Sequence, residues 1–136
     1  MHLRIRLGTE QYALDLDDVL EVLELGDITP VPGSGATLIG LRNLRGEILP
    51  ALDLSALLGV VGEGSPRRLV VVADGDRRAG LAVDELIDLS QLPAATARVD
   101  SSLVREGVLV DGALVGVVDV PAMLRSFAGS AGTGLA

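Results

Sequence analysis

The chain has no cysteine, no tryptophan, no lysine and a single histidine, and its only aromatic residues are Tyr12 and Phe127. Without cysteine there are no disulfides, no thiol catalysis and no thiolate metal site, a composition that fits a reducing cytoplasm. With only His2, adjacent to the N-terminus, neither a histidine metal site nor a Ser-His relay can be assembled. Two isolated aromatics cannot build a stacking platform for bases or sugars. Positive charge is scarce as well: 11 arginines face 19 acidic residues, and the resulting net charge of −8 repels a phosphate backbone. Nucleic acid is therefore not an expected partner. Long apolar runs are missing too, since none approaches the roughly 20 residues of a membrane span. The N-terminus, MHLRIRLGTEQY, alternates where a signal peptide would be continuously apolar. The expectation is a cytoplasmic protein with no direct membrane insertion, no cofactor and no metal.

Apolar residues make up 49% of the 136 positions, enough for one domain whose core is built from Val, Leu, Ile and Ala. Leu3–Leu7 alternates strictly, Gly8–Thr9 supplies a turn, and the alternation resumes at Tyr12–Leu16, which predicts a hairpin with one buried face. Similar short strands are predicted at Val19–Leu25, Ile39–Leu44, Ile48–Leu52, Leu69–Ala73, Arg78–Val83, Val108–Val110 and Leu114–Val118. Turn-forming stretches separate them, among them 26–37, 59–66, 73–77 and Asp111–Gly112. Helical pattern is confined to the residues after Asp53, to parts of 84–89 and to the residues after Asp119. The final stretch, 128–136, reads as a flexible tail.

The chain also repeats itself. An offset of 67 residues lays 14–22 over 81–89, and an offset of 66 lays 49–58 over 115–124, with Asp53 over Asp119. Each copy, about 3–58 and 70–124, is near the size at which a lone core is marginal, so the two should pack together. The predicted class is all-β: two fused small barrels related by an internal duplication, with short helices. Whether the copies exchange strands is not fixed by the pattern. Within the duplication Arg45–Gly46 falls on Asp111–Gly112. Copy two keeps the ordinary Asp-Gly turn, whereas copy one places a cation there and adds Asn43 where copy two has Leu109. A turn alone does not ask for that exchange.

The runs 28–32 (ITPVP), 38–54 (LIGLRNLRGEILPALDL) and 79–86 (AGLAVDEL) resemble the CheW adaptor family of bacterial chemotaxis, over about Leu3 to Phe127. The resemblance implies a CheW-like domain over 1–127 made of two five-stranded SH3-like barrels. It further implies a non-enzymatic scaffold that couples the cytoplasmic tip of a chemoreceptor to the regulatory domain of a CheA-type histidine kinase. Carried over by position, Arg45 is the receptor-coupling arginine, with Gly40, Asn43 and Gly46 in the same motif. Val19, Glu21 and Val22 fall on the neighbouring receptor-facing strand. A helix-in-groove docking mode would then use a trough lined by that strand with Ile28 and Leu38, and Arg45 and Glu21 at its rim. The alternatives are a CheW-like regulatory domain of a pilus-motility or other chemosensory system, the CheW-like domain of a larger kinase, and a small β-barrel hydrolase. Initiation at Met1 and the lack of kinase motifs favour a free-standing adaptor. Against the hydrolase, Asp53 and Asp119 are followed by Leu54–Ser55 and Val120–Pro121 instead of a small hydroxyl-glycine turn, and each is placed to cap a helix. Asp15, Asp17, Asp18, Asp84 and Glu85 lack the loop spacing of calcium ligands, and Gly75 and Gly80 do not form a phosphate-cradling loop.

Overall fold

The structure is a computed structural model that describes residues 1–61, 64–99 and 101–131, without the side chains of 128–131. Copy one contributes β1 (His2–Leu7), β2 (Glu10–Asp15), β3 (Val19–Glu24), β4 (Leu38–Leu44), β5 (Glu47–Asp53) and α1 (Leu54–Leu58). Copy two contributes β6 (Arg68–Asp74), β7 (Arg77–Val83), β8 (Glu85–Ser90), β9 (Val104–Val110), β10 (Ala113–Val118) and α2 (Val120–Ala131). A single 3-10 turn, Leu16–Asp18, links β2 to β3.

The ten strands form two five-stranded sheets, in the orders β8-β1-β2-β10-β9 and β3-β6-β7-β5-β4. Each sheet therefore mixes the copies: the β1–β2 hairpin of copy one joins β8, β9 and β10, and the β6–β7 hairpin of copy two joins β3, β4 and β5. The repeats have exchanged their first hairpins. The exchange is in register, because the parallel pair Ala13↔Val117 in one sheet corresponds to Gly80↔Ala51 in the other. Adding 67 to 13 gives 80, and adding 66 to 51 gives 117, the same offsets that expose the duplication. The isolated bridges Thr29↔Leu41 and Ala97↔Gly107 also correspond, Gly107 lying 66 residues after Leu41 and Ala97 68 after Thr29.

The stretch 84–89 requires a correction. Its apolar spacing suggests a helix, yet Glu85–Ser90 is an edge strand paired antiparallel to β1. The physical cause is a bulge: Arg4 opposes Asp88 while Ile5 opposes Leu86, so Ile87 is an extra residue that breaks the period of two. The twin position Leu20 is bulged between Val19 and Glu21 in β3. Strand β9 likewise begins at Val104, earlier than its apolar stretch indicates.

One apolar cluster joins the two sheets, with Leu3, Ile5, Leu7 and Leu14 meeting Leu52, Val70, Leu81 and Val83 beneath Met123 and Leu124 of α2. A smaller one, Ala51, Leu69 and Ala82 with Leu23, Leu25, Ile28 and Ile39, fills the barrel that carries Arg45. The helices start as their caps dictate: Asp53 accepts from the Ala56 amide at 3.2 Å and Asp119 from the Ala122 amide at 3.0 Å. They end differently. Helix α1 stops at Gly59, in the left-handed conformation with φ 69°, whereas its twin Arg125 lets α2 continue. Helix α2 takes in 128–131, the first part of the stretch read as a tail, and 132–136 lie outside the described residues.

Candidate functional site

The β4–β5 hairpin turns on Arg45 (φ 51°) and Gly46 (φ 86°), and the β9–β10 hairpin on Asp111 (φ 50°) and Gly112 (φ 82°). Both central residues of each turn are left-handed, a geometry for which Asn or Asp followed by Gly is the favoured pair. Copy two uses that pair. Copy one holds an arginine in a conformation that residues other than Gly, Asn and Asp uncommonly adopt. Asn43 completes the turn, its Oδ1 accepting from the Gly46 amide at 3.0 Å.

From this turn the Arg45 guanidinium reaches Glu21 of β3 in a two-pronged ion pair, with Nη1 3.3 Å from Oε1 and Nη2 against Oε2. The hydrogen bond to Glu21, then its charge, raise the arginine's pKa further above an already high value, so the guanidinium stays charged. The pair nevertheless stays at the surface, with the Arg45 side chain 68% exposed. Exposed apolar residues lie near the pair along the chain: Leu20 and Val22 precede and follow Glu21 on β3, and Ile48 is three residues past Arg45.

Gly40 has a different function from the arginine it accompanies. Thr29 crosses β4 there, exchanging backbone hydrogen bonds with Leu41 at 2.9 and 2.8 Å. A Cβ on Gly40 would stand 2.3 Å from the Thr29 carbonyl oxygen and 2.7 Å from Ile28 Cγ2. Only glycine admits the crossing. Arg42, which no sequence signal singles out, ties the same segment down: its Nε donates to the Leu25 carbonyl at 3.1 Å and its Nη1 to the Asn43 carbonyl at 3.0 Å. Its guanidinium lies against Gly26, where a Cβ would approach Nη2 to 2.9 Å.

The structure thus brings Arg45, Asn43, Gly46 and Glu21 together; Val22 follows Glu21 along β3 and is exposed. Val19 and Leu38 pack into the cluster between the sheets, and Ile28 packs into the inner cluster of its own barrel. Among the described residues no three His, Cys, Asp or Glu side chains are placed to hold a metal ion, and no helix is long and apolar enough to cross a membrane.

What these features define is a duplicated SH3-like barrel module in which one surface turn presents a cation in place of a favoured turn residue. The CheW-like domain profile matches residues 2–128, and the chain belongs to that family. It is 36% identical over 92 residues to Protein FrzA of Myxococcus xanthus, a match covering 66% of this chain and 58% of that protein. It is 32% identical over 91 residues to the chemotaxis protein CheW of Thermotoga maritima, covering 66% of this chain and 60% of that one. The chain thus spans about three fifths of these two relatives. The crystal structure of the scaffolding protein TtCheW from Thermoanaerobacter tengcongensis superposes with a TM-score of 0.70 at 28% identity, over 87% of each chain.

Proposed function

We propose that this chain is a cytoplasmic, non-enzymatic adaptor that couples the cytoplasmic tip of a chemoreceptor to a CheA-type histidine kinase. The observation that carries the reading is Arg45 at positive φ: a turn whose twin uses Asp retains a residue poorly suited to that backbone. Membership of the CheW-like family and the likeness to a protein described as a scaffold support the same role.

The receptor surface is Arg45 with Glu21 as its orienting partner and Leu20, Val22 and Ile48 as apolar neighbours. Glu21 fixes the guanidinium plane, so that a receptor carboxylate or helix-end carbonyl meets an oriented donor. Asn43 and Gly46 shape the turn, while Gly40, the buried Leu38 and the partly buried Ile28 and Val19 hold the strands that carry it. The kinase surface lies elsewhere, on the barrel that contains β8, β9 and β10, because a coupler must hold both partners at once. Separate pull-downs with receptor and with kinase test this division: Arg45→Glu should lose the receptor and keep the kinase, and Leu109→Asp, at an exposed position of β9, should do the reverse. Folded variants that always lose both partners together would make it one shared site.

A further inference from the structure

A second surface emerges from comparing the two barrels through their internal symmetry. Helix α2 lies on β6 and β7, and its Phe127 packs against the main apolar cluster, to which Val31, Leu38 and Ala79 also belong. The twin positions in the other barrel are Val99, Val104 and Tyr12, and the twin of Phe127 is Val61. Among the described residues nothing equivalent to Phe127 reaches them: Gly59 ends α1 one residue after Leu58, and Val61 is 94% exposed. In place of a filled seat there is a hollow of about 520 Å³ walled by Tyr12, Leu58, Val99 and Val104. Glycines open it further. A Cβ on Gly116 would stand 2.9 Å from the Tyr12 ring, and one on Gly107 would stand 3.1 Å from Leu114. The rim is polar and acidic, with Thr9, Gln11 and Ser101 beside Glu10, whose Oε1 accepts from the Tyr12 hydroxyl at 3.1 Å.

We infer that this hollow seats a short amphipathic helix of a partner protein, which places an aromatic or large aliphatic side chain where Phe127 sits in the twin barrel and a basic side chain beside Glu10. The occupant's class is read from the molecule itself. Over β7 the helix α2 runs on past Leu124 to Phe127, whereas at the hollow beside the twin strand β2 the helix α1 ends at Leu58, the twin of Leu124. The chemistry of the rim adds the charge: the twin of Glu10 is Arg77, so the open seat has the opposite sign to the filled one. A carboxylate at the edge of an apolar hollow selects a cationic flank on an apolar anchor. The inference does not depend on the receptor reading, because none of its residues belongs to the Arg45 surface.

The probe is the chain's own seat-filling segment, a peptide of residues 119–131 crosslinked on the face opposite Leu124 and Phe127, since a free helix of this length is marginal in water. It is titrated into the full chain and followed by fluorescence anisotropy and amide chemical shifts. The expected result is saturable binding, with shifts centred on Tyr12, Leu58, Gly107 and Gly116. Phe127→Ala in the peptide, or Ala113→Trp in the protein, should weaken it at least tenfold. Glu10→Gln should weaken it several-fold, and added salt should erase that difference. If Ala113→Trp does not fold, Leu114→Asp, at a side chain already 56% exposed, makes the same test. Absence of saturable binding, shifts centred on Arg45, or binding indifferent to the hollow-filling change would overturn the inference. So would an apolar dye that occupies the hollow and is not displaced by the peptide, which would assign it to small ligands.

Discussion

Arg45 and Glu21 meet across the open side of their barrel. Strands β3 and β4 are the first and last of their sheet, and the ion pair between a β3 side chain and the β4–β5 turn joins these two edges. In the twin barrel the corresponding residues are Asp111 and Asp88, two acids, and Asp88 turns to Arg4 of β1 instead, at 3.0 Å. One barrel therefore carries a charge pair over its seam and the other does not, although both keep their sheet order. The seam does not need the pair. An exposed ion pair of this kind contributes little to stability, which leaves its side chains available to a partner.

Arg45→Asn should separate folding from function. Asn tolerates left-handed backbone better than Arg and makes the favoured Asn-Gly turn, so thermal melting should occur at the same temperature or slightly higher. Receptor binding should nevertheless be lost. A clear drop in melting temperature would make Arg45 a structural residue.

Gly40 and Gly46 should fail for different reasons. At Gly46 a Cβ meets nothing within 4 Å, so Gly46→Ala carries only backbone strain, about 1 kcal/mol. Gly40→Ala must push away the Thr29 crossing and should cost about 2 kcal/mol or more, through overpacking and strained hydrogen bonds. Denaturant unfolding gives the magnitudes. Hydrogen exchange supplies the discriminating readout, because the Thr29 and Leu41 amides should exchange faster only in Gly40→Ala.

Local chemistry was legible from the residues: the hairpin turns, the caps at Asp53 and Asp119, and the duplication all follow from spacing and turn propensity. What spacing could not convey was which copy each strand pairs with, since the repeat offset is the same whether hairpins stay or exchange. Bulges hid β8, because Ile87 shifts the apolar pattern from a period of two towards a helical one. At the candidate site, Arg45 stood out by contrast with Asp111 and through the family resemblance. Arg42 gave no signal, because its role depends on carbonyls of Leu25 and Asn43 that a sequence does not display. Glu21 could be placed beside Arg45 only through the family resemblance, since barrel closure, and no local pattern, brings them together.

Tyr12 offers a probe of the open hollow. Burial, then its hydrogen bond to Glu10 and that carboxylate's charge, push its pKa up from 10.0 to about 12. The neutral phenol is favoured in the folded state, so its contribution is complete below pH 10 and is lost as pH rises towards 12. Allowing for solvent screening of a partly exposed ring, the loss is about 1 kcal/mol. With no tryptophan and one tyrosine in the chain, absorbance at alkaline pH titrates Tyr12 alone. Glu10→Gln should lower the midpoint only part of the way, because burial is the larger cause. A wild-type midpoint near 10 would mean the ring is fully solvated.

Val22→Asp tests whether apolar contact carries receptor affinity. The side chain is 36% exposed, so the fold should tolerate the change, while binding should weaken by about 2 kcal/mol, the scale of a hot-spot loss. Raising salt should weaken the wild-type complex only modestly, since screening acts on the exposed pair and not on Leu20, Val22 and Ile48. Binding that collapses with salt and ignores Val22 would show a partner held by charge alone.

The exchanged hairpins make a prediction about the two halves of the chain. Residues 1–61 contain β1 to β5 but supply only two strands of one sheet and three of the other; residues 64–136 supply the remainder. If each copy closed on itself, either half could keep a complete sheet. With the exchange, neither half can, and each leaves apolar strand faces and unpaired edges open. Expressed separately, the halves should lack cooperative unfolding, and mixed they should assemble into a one-to-one complex with native-like amide shifts. The parallel contacts Ala13↔Val117 and Ala51↔Gly80 are the joints of that complex, so Ala13→Glu, at a fully buried position, should prevent assembly. A single half that folds cooperatively alone, with all five of its own strands in one sheet, would show that the copies do not exchange.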